Sequence, residues 1–239
     1  MTKYKSYFNI IKLLIISLCF GSLNACTNFS EIRPLDPNLE RARADILITS
    51  SIASFKEILH SSETTVPQQL LNSAKCVAVF PEVLKAAFIG GAQYGQGIVS
   101  CKDKNSLWSP VAFLKIKGAS IGWQIGADSS EAILFFVGKK ATASLLTNQV
   151  TLGGDVSISA GPVGRGVQSS TNAEFDGIYS YTKSKGLFAG VSLNGSILSN
   201  SDSTNMSYYS KDLSTADLLF NNAKVDIPKN VTKFLRELP

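Results

Sequence analysis

The spacing of apolar positions changes along the chain. Ala44, Ile48, Ile52, Phe55 and Leu59 recur at intervals of four and three, with Leu47 and Ile58 beside them, while Arg41, Asp45, Ser50 and Glu57 lie opposite. This is one stripe of an amphipathic helix, begun by Asp36 or Asn38 and running to about His60. The stripe reads as core packing. A helix lying on a membrane surface is the alternative, but the polar face is mixed rather than lysine-rich. Pro67 opens a second short helix over 68–74. From Cys76 the runs shorten to strand length at 77–80, 87–91, 97–101, 111–116, 120–126 and 133–137, divided by glycines at 90, 91, 95, 97, 118, 122 and 126. Residues 139–146 read as helix. Residues 150–198 return to short alternating runs cut by Gly161, Pro162, Gly164, Gly166 and the Lys183–Gly186 stretch, which predicts adjacent antiparallel strands and the β core of the protein. A polar stretch from Ser199 and short closing helices over 213–221 and 230–238 complete the reading.

Composition sets the class. Of 239 residues, 44% are hydrophobic and 17% charged, which indicates a folded globular chain of one ordinary or two small domains. The first 26 residues belong to a different category. Lys3, Lys5 and Lys12 precede an apolar run, Leu13 to Phe20, that is too short to span a bilayer. The stretch reads as a secretion signal, and its end, Leu23-Asn24-Ala25-Cys26, resembles the lipobox of bacterial lipoproteins. That resemblance implies cleavage before Cys26 and lipid attachment to it, with residues 1–25 as signal peptide, 26–38 as lipidated tether and 39–239 as the domain. An ordinary signal peptide and an N-terminal transmembrane anchor are the alternatives. Thr27, rather than Asp, after the cysteine points to the outer membrane, facing the periplasm.

Removing the signal leaves 20 Lys plus Arg against 18 acidic residues, a net charge of +2, so most of the apparent basicity resides in the leader. This is too little for a nucleic-acid-binding surface. Cys19 leaves with the signal and Cys26 is the lipid site. Cys76 and Cys101 remain as an even pair, expected to be bonded in an oxidising compartment. Two separate buried thiols are the alternative. With His60 the sole histidine and no CxxC spacing, no metal site and no cofactor is expected.

Catalytic patterns fail on context. Gly118-Ala119-Ser120-Ile121-Gly122 matches the G-x-S-x-G of a nucleophile elbow, but Trp123-Gln124-Ile125-Gly126 reads as strand where a helix is required. Residues 161–166, GPVGRG, lack the order of a phosphate loop. The remaining feature is a set of basic positions: Arg165 on one turn, Lys183 and Lys185 on another, and the pair Lys139 and Lys140. If the turns share one end of the sheet, they form a cationic patch for anionic lipid headgroups.

Several motifs in order carry a family resemblance: Ala74-Lys75 before Phe80-Pro81, Gly90-Gly91 through Gly95-x-Gly97, Trp108-Ser109-Pro110, Gly122-x-Gln124-x-Gly126, Leu152-Gly153, Gly161-Pro162-x-Gly164-Arg165, Tyr179-Ser180-Tyr181 through Gly195, and Tyr208-Tyr209. From about Pro67 onward the chain resembles the SYLF domain, the Ysc84-type lipid-binding module of actin regulators. The resemblance implies an α+β fold, a curved, barrel-like antiparallel β-sheet with an N-terminal amphipathic helix and short flanking helices, and no catalysis. It implies binding of acidic phospholipids. The cysteines at 76 and 101 depart from the family pattern. The basic residues that eukaryotic members use for lipid and actin contact are reduced here to Arg41, Arg43 and Lys56. The reading is therefore an envelope-anchored, phospholipid-binding lipoprotein. The alternative is an interaction module that binds another envelope protein, or less favourably actin, and uses the lipid only for residence.

Overall fold

The computed structural model describes residues 36–61, 66–87, 90–121, 126–161, 177–184 and 193–239. The stretch read as a signal peptide, Cys26, Arg165 and Lys185 lie outside these residues. The first helix, α1 (Pro37–Leu59), buries Ala44, Ile48, Ile52, Phe55 and Ile58. The stripe read from the sequence thus packs into the core. Two serines, Ser51 and Ser54, share the buried face, and the Ser51 hydroxyl is satisfied by donating to the Leu47 carbonyl one turn back. A short helix, α2 (Gln68–Ser73), leads into the sheet.

Four long strands form the centre: β1 (Cys76–Ala87), β2 (Gly90–Cys101), β3 (Ala112–Ile121) and β4 (Gly126–Val137). The glycines read as strand dividers at 95 and 97 instead lie inside β2. They face a bulge in β1 between Val79 and Glu82. A Cβ on Gly97 would stand 2.6 Å from the Phe80 ring and 2.5 Å from the Val79 carbonyl oxygen, so these glycines admit a close approach instead of ending the strand.

After β4 come α3 (Gly138–Ala143), a 3-10 turn (Ser144–Leu146), β5 (Gln149–Thr151), β6 (Ile158–Ala160), β7 (Gly177–Ser184) and β8 (Ile197–Asn200). The eight-stranded order is β5-β8-β3-β2-β1-β4-β7-β6. All pairings are antiparallel except β6 with β7. The centre is therefore β1 to β4, and the 150–198 region, expected to be the core, supplies the flanks. Central strands are buried on both faces near Cys76 and so show no alternation, and the sequence reading found strands there without marking them as the centre.

The topology itself demands curvature. β5 and β6 are opposite edges of the sheet, yet only residues 152–157 separate them. Laid flat, eight strands at about 4.8 Å spacing span about 34 Å. The seven Cα steps from Thr151 to Ile158 reach at most about 25 Å. The sheet is accordingly curled into a half-barrel, and the connecting staple anchors it through the buried side chains of Leu152 and Val156.

The C-terminal helices α4 (Asp202–Tyr209), α5 (Thr215–Phe220) and α6 (Lys229–Leu235) close the core. The sequence reading left α4 as a polar stretch because its polar residues work inward. Asn205, fully buried, accepts from the Phe113 backbone N–H at 2.9 Å and donates to Thr215 Oγ1 at 3.0 Å. The Tyr208 hydroxyl has two acceptors within reach of its one proton, Asp45 Oδ1 on α1 at 3.0 Å and Asn230 Oδ1 on α6 at 3.1 Å, and Tyr209 donates to the Val111 carbonyl. The tyrosine pair of the motif therefore joins three layers.

Candidate functional site

The register that pairs β1 with β2 sets Cys76 opposite Cys101, and their Sγ atoms are bonded, with Cα atoms 4.0 Å apart. Each cysteine has a lysine as its neighbour on the outer side, so the same register brings Lys75 and Lys102 together. The Lys102 backbone N–H donates to the Lys75 carbonyl at 2.7 Å, and the Lys75 N–H donates to the Phe136 carbonyl at 2.9 Å. Phe136 is followed by α3, whose Lys139 and Lys140 are exposed. Four lysines thus lie at one end of the sheet. Burial, and secondly the charge of Lys75, holds the Lys102 ammonium below its ordinary pKa. Its Nζ stands 4.8 Å from the centre of the Trp108 ring, a cation–π contact. Ser109 fixes that loop by accepting the Cys101 N–H through its hydroxyl, and Asp103 Oδ1 accepts the N–H groups of Asn105 and Leu107. Leu107 on this loop and Leu146 on the 3-10 turn are exposed.

Of the other expected basic residues, Lys183 is among the described ones and lies elsewhere. Lys183 lies within β7, not in a turn, opposite Glu131 of β4. Its ammonium is 2.5 Å from Glu57 Oε1 on α1. Glu131 is six residues from Val137, a separation of about 20 Å along the strand, so Lys183 does not join Lys139 and Lys140. It pins the first helix to the sheet. Lys75 and Lys102 were missed as site residues, although their adjacency to the two cysteines was the readable signal.

A second region lies on the face of the sheet that α1 covers. Directly paired residues of antiparallel strands share a face, so the register draws one row from Ser129 through Leu84, Tyr94 and Lys117 to Ile197. Leu84 is 50% and Tyr94 42% exposed, and Ile46 on α1, 66% exposed, looks toward them. Between α1 and this row runs a groove of about 650 Å³.

Ser120 continues within β3, and the next described element is strand β4, so the strand-to-helix turn of a nucleophile elbow does not form. His60 Nδ1 donates to the Lys56 carbonyl at the end of α1. Among the described residues no group of three or more His, Cys, Asp or Glu side chains could hold a metal ion, and no helix is long and apolar enough to cross a membrane.

Comparison with known proteins follows the same lines. The sequence model of the Ysc84 family, described as "Las17-binding protein actin regulator", matches residues 117–239. Protein YSC84 of Saccharomyces cerevisiae is 31% identical over 181 residues, covering 74% of this chain and 38% of that protein. LAS seventeen-binding protein 3 of the same species is 31% identical over 181 residues, 74% of this chain and 39% of its own length. SH3 domain-containing YSC84-like protein 1 of Homo sapiens is 31% identical over 175 residues, 72% of this chain and 51% of its own length. The chain thus spans about two fifths to half of these relatives. With its half-barrel, covering helix and ordered motifs, this chain belongs to the Ysc84 family, the SYLF-domain proteins.

Proposed function

We propose that the chain is a non-enzymatic, phospholipid-binding lipoprotein of a bacterial envelope, anchored through Cys26, whose domain meets anionic headgroups with the lysines at the disulfide-bonded end of its sheet. The observation that carries this reading is the position of exposed Lys139 and Lys140 at the same end of the sheet as Lys75 and Lys102, with Leu107 exposed on the loop after Lys102 and Leu146 exposed after α3. A cationic end with apolar tips suits a membrane surface: each lysine near an anionic leaflet contributes about 1 kcal/mol, and the leucines supply what charge alone lacks. Arg165 and Lys185 remain proposed headgroup contacts, while Lys183 is engaged with Glu57. The LNAC sequence supports the anchor and, with Thr27, residence at the outer membrane.

The test is co-sedimentation with phosphatidylcholine vesicles and with vesicles rich in phosphatidylglycerol, across ionic strength. The expected result is salt-sensitive binding to the anionic vesicles only, lost when Lys75, Lys102, Lys139 and Lys140 are changed together to Ala. Binding that survives this change, or that ignores salt, would refute the assignment. A second reading, a protein-binding module, is favoured by the groove beside α1 and by the relatives' description as Las17-binding.

A further inference from the structure

A smaller cavity, about 80 Å³, lies where α1, β2, β3 and the start of α4 come together, and Glu40, Arg43, Gln96, Lys115, Ser201 and Thr204 give it a polar lining over the ring of Phe113. Two of its charges offset each other, because the Glu40 carboxylate stands 3.9 Å from the Arg43 guanidinium. Lys115 has no ion pair among the described residues, so the surplus positive charge is its own. The register pairs Gln96 with Lys115, which raises the amide and the ammonium from one face of the sheet. The start of α4 adds a further donor. Ser201 holds the N-cap position, where a hydroxyl ordinarily accepts a first-turn N–H, but it makes no capping bond. It is 3% exposed, and its Oγ lies 2.8 Å from Thr204 Oγ1. That bond uses one of the two hydroxyl protons, and the other has no acceptor among the described residues. The acid of this turn is directed away: Asp202 Oδ1 accepts from the Thr215 N–H and hydroxyl and from the Asn205 amide.

We infer that this cavity binds a free tetrahedral oxyanion, inorganic phosphate or sulfate. The Lys115 ammonium balances the charge, and the Gln96 amide and the unclaimed hydroxyl proton donate to separate oxygens of the ion, charge-assisted bonds that are stronger than neutral ones. Uncapped first-turn N–H groups and the positive end of α4 act in the same direction. Size sets the class of ligand. One water needs about 10–15 Å³ of such space, so the cavity takes roughly five to eight water-sized atoms. A central atom with its four oxygens fits, and the ring of a sugar-phosphate headgroup does not. Chloride fits too, but a single atom cannot reach donors on both the sheet and α4. The inference uses none of the lysines at the disulfide-bonded end and stands whether or not those lysines meet lipid.

The test uses the whole chain in phosphatidylcholine nanodiscs and chloride buffer, titrated with inorganic phosphate and read by calorimetry and by the rise in Tm that a ligand of the folded state produces. Saturable binding at a single site, with sulfate competing, is the expected result. Lys115→Met keeps the length of the side chain without its charge and should weaken binding about tenfold. Glu40→Gln releases Arg43 from its offset and should tighten binding about threefold, a gain that damaged folding cannot produce. No saturable binding of phosphate would overturn the proposal, as would binding that neither Lys115→Met nor Glu40→Gln changes. Glycerol 3-phosphate or inositol 1-phosphate binding about tenfold tighter than inorganic phosphate would assign the cavity to a lipid headgroup and overturn it equally.

Discussion

The lysine end of the sheet and the groove beside α1 are built by different means. At the lysine end, the charges sit where strands stop, and one register fixes them: pairing Cys76 with Cys101 also aligns Lys75 with Lys102. In the groove, the lining residues sit within strand faces and on a helix, and they come together only because several strands and α1 stack in one order. The first region is thus a local consequence of the pairings of β1 with β2 and β4, and the second is a product of the whole fold. Perturbations that loosen the hairpin should separate the two.

The largest expected effect comes from replacing both Cys76 and Cys101 by Ser. Removing a crosslink over a 25-residue separation should cost about 3.5 kcal/mol on the chain-entropy account, which lowers the Tm by roughly 10 °C in calorimetry. Below that Tm, vesicle binding should weaken; unchanged binding would mean that the lysine end does not depend on the crosslink.

Changing the four lysines to Ala should lower affinity for anionic vesicles by roughly two to three orders of magnitude, leaving the Tm nearly unchanged. A smaller effect is expected in the framework shared by both regions. Tyr208→Phe removes the hydroxyl shared between Asp45 and Asn230 and should cost about 1–2 kcal/mol in urea unfolding, with vesicle binding retained. Lys183→Ala breaks a half-exposed ion pair and should cost about 0.2–1 kcal/mol, without loss of vesicle binding. That result would sharpen the difference between Lys183 and the lysines at the sheet end.

A pH titration adds a further contrast. Burial and Lys75 lower the Lys102 pKa, so as pH rises Lys102 loses its proton before its ordinary range. Vesicle binding should fall in that interval, and Lys102→Arg, whose guanidinium stays charged, should flatten the profile.

Much of the scaffold was legible in the sequence. The 44–59 stripe is a helix stripe because its burial has a single side. The expected α+β class and curled sheet hold. Strand boundaries were harder to read, because Gly95 and Gly97 resemble turn residues until the bulge at Val79–Glu82 shows what they must admit. Helix α4 escaped notice because a buried Asn and a partly buried Asp look like loop chemistry when their partners, the Phe113 N–H and Thr215, are distant in sequence. The Lys139–Lys140 pair was found from composition alone. Its companions at 75 and 102 are legible only once the register is known. Lys183 was misplaced because Ser184-Lys185-Gly186 has turn character, whereas Lys183 itself is still paired with Glu131 in the ladder.

The six-residue staple between β5 and β6 has a kinetic consequence. β5 needs β8 and β6 needs β7, so neither edge is complete until segments up to about fifty residues downstream are in place. Closing such distant pairings costs loop entropy before the pairings return any stabilisation. The central four strands can assemble first, and the curl of the sheet becomes fixed when Leu152 and Val156 enter the core. Refolding should therefore end in a slow phase that reports on these two residues and on neither binding region.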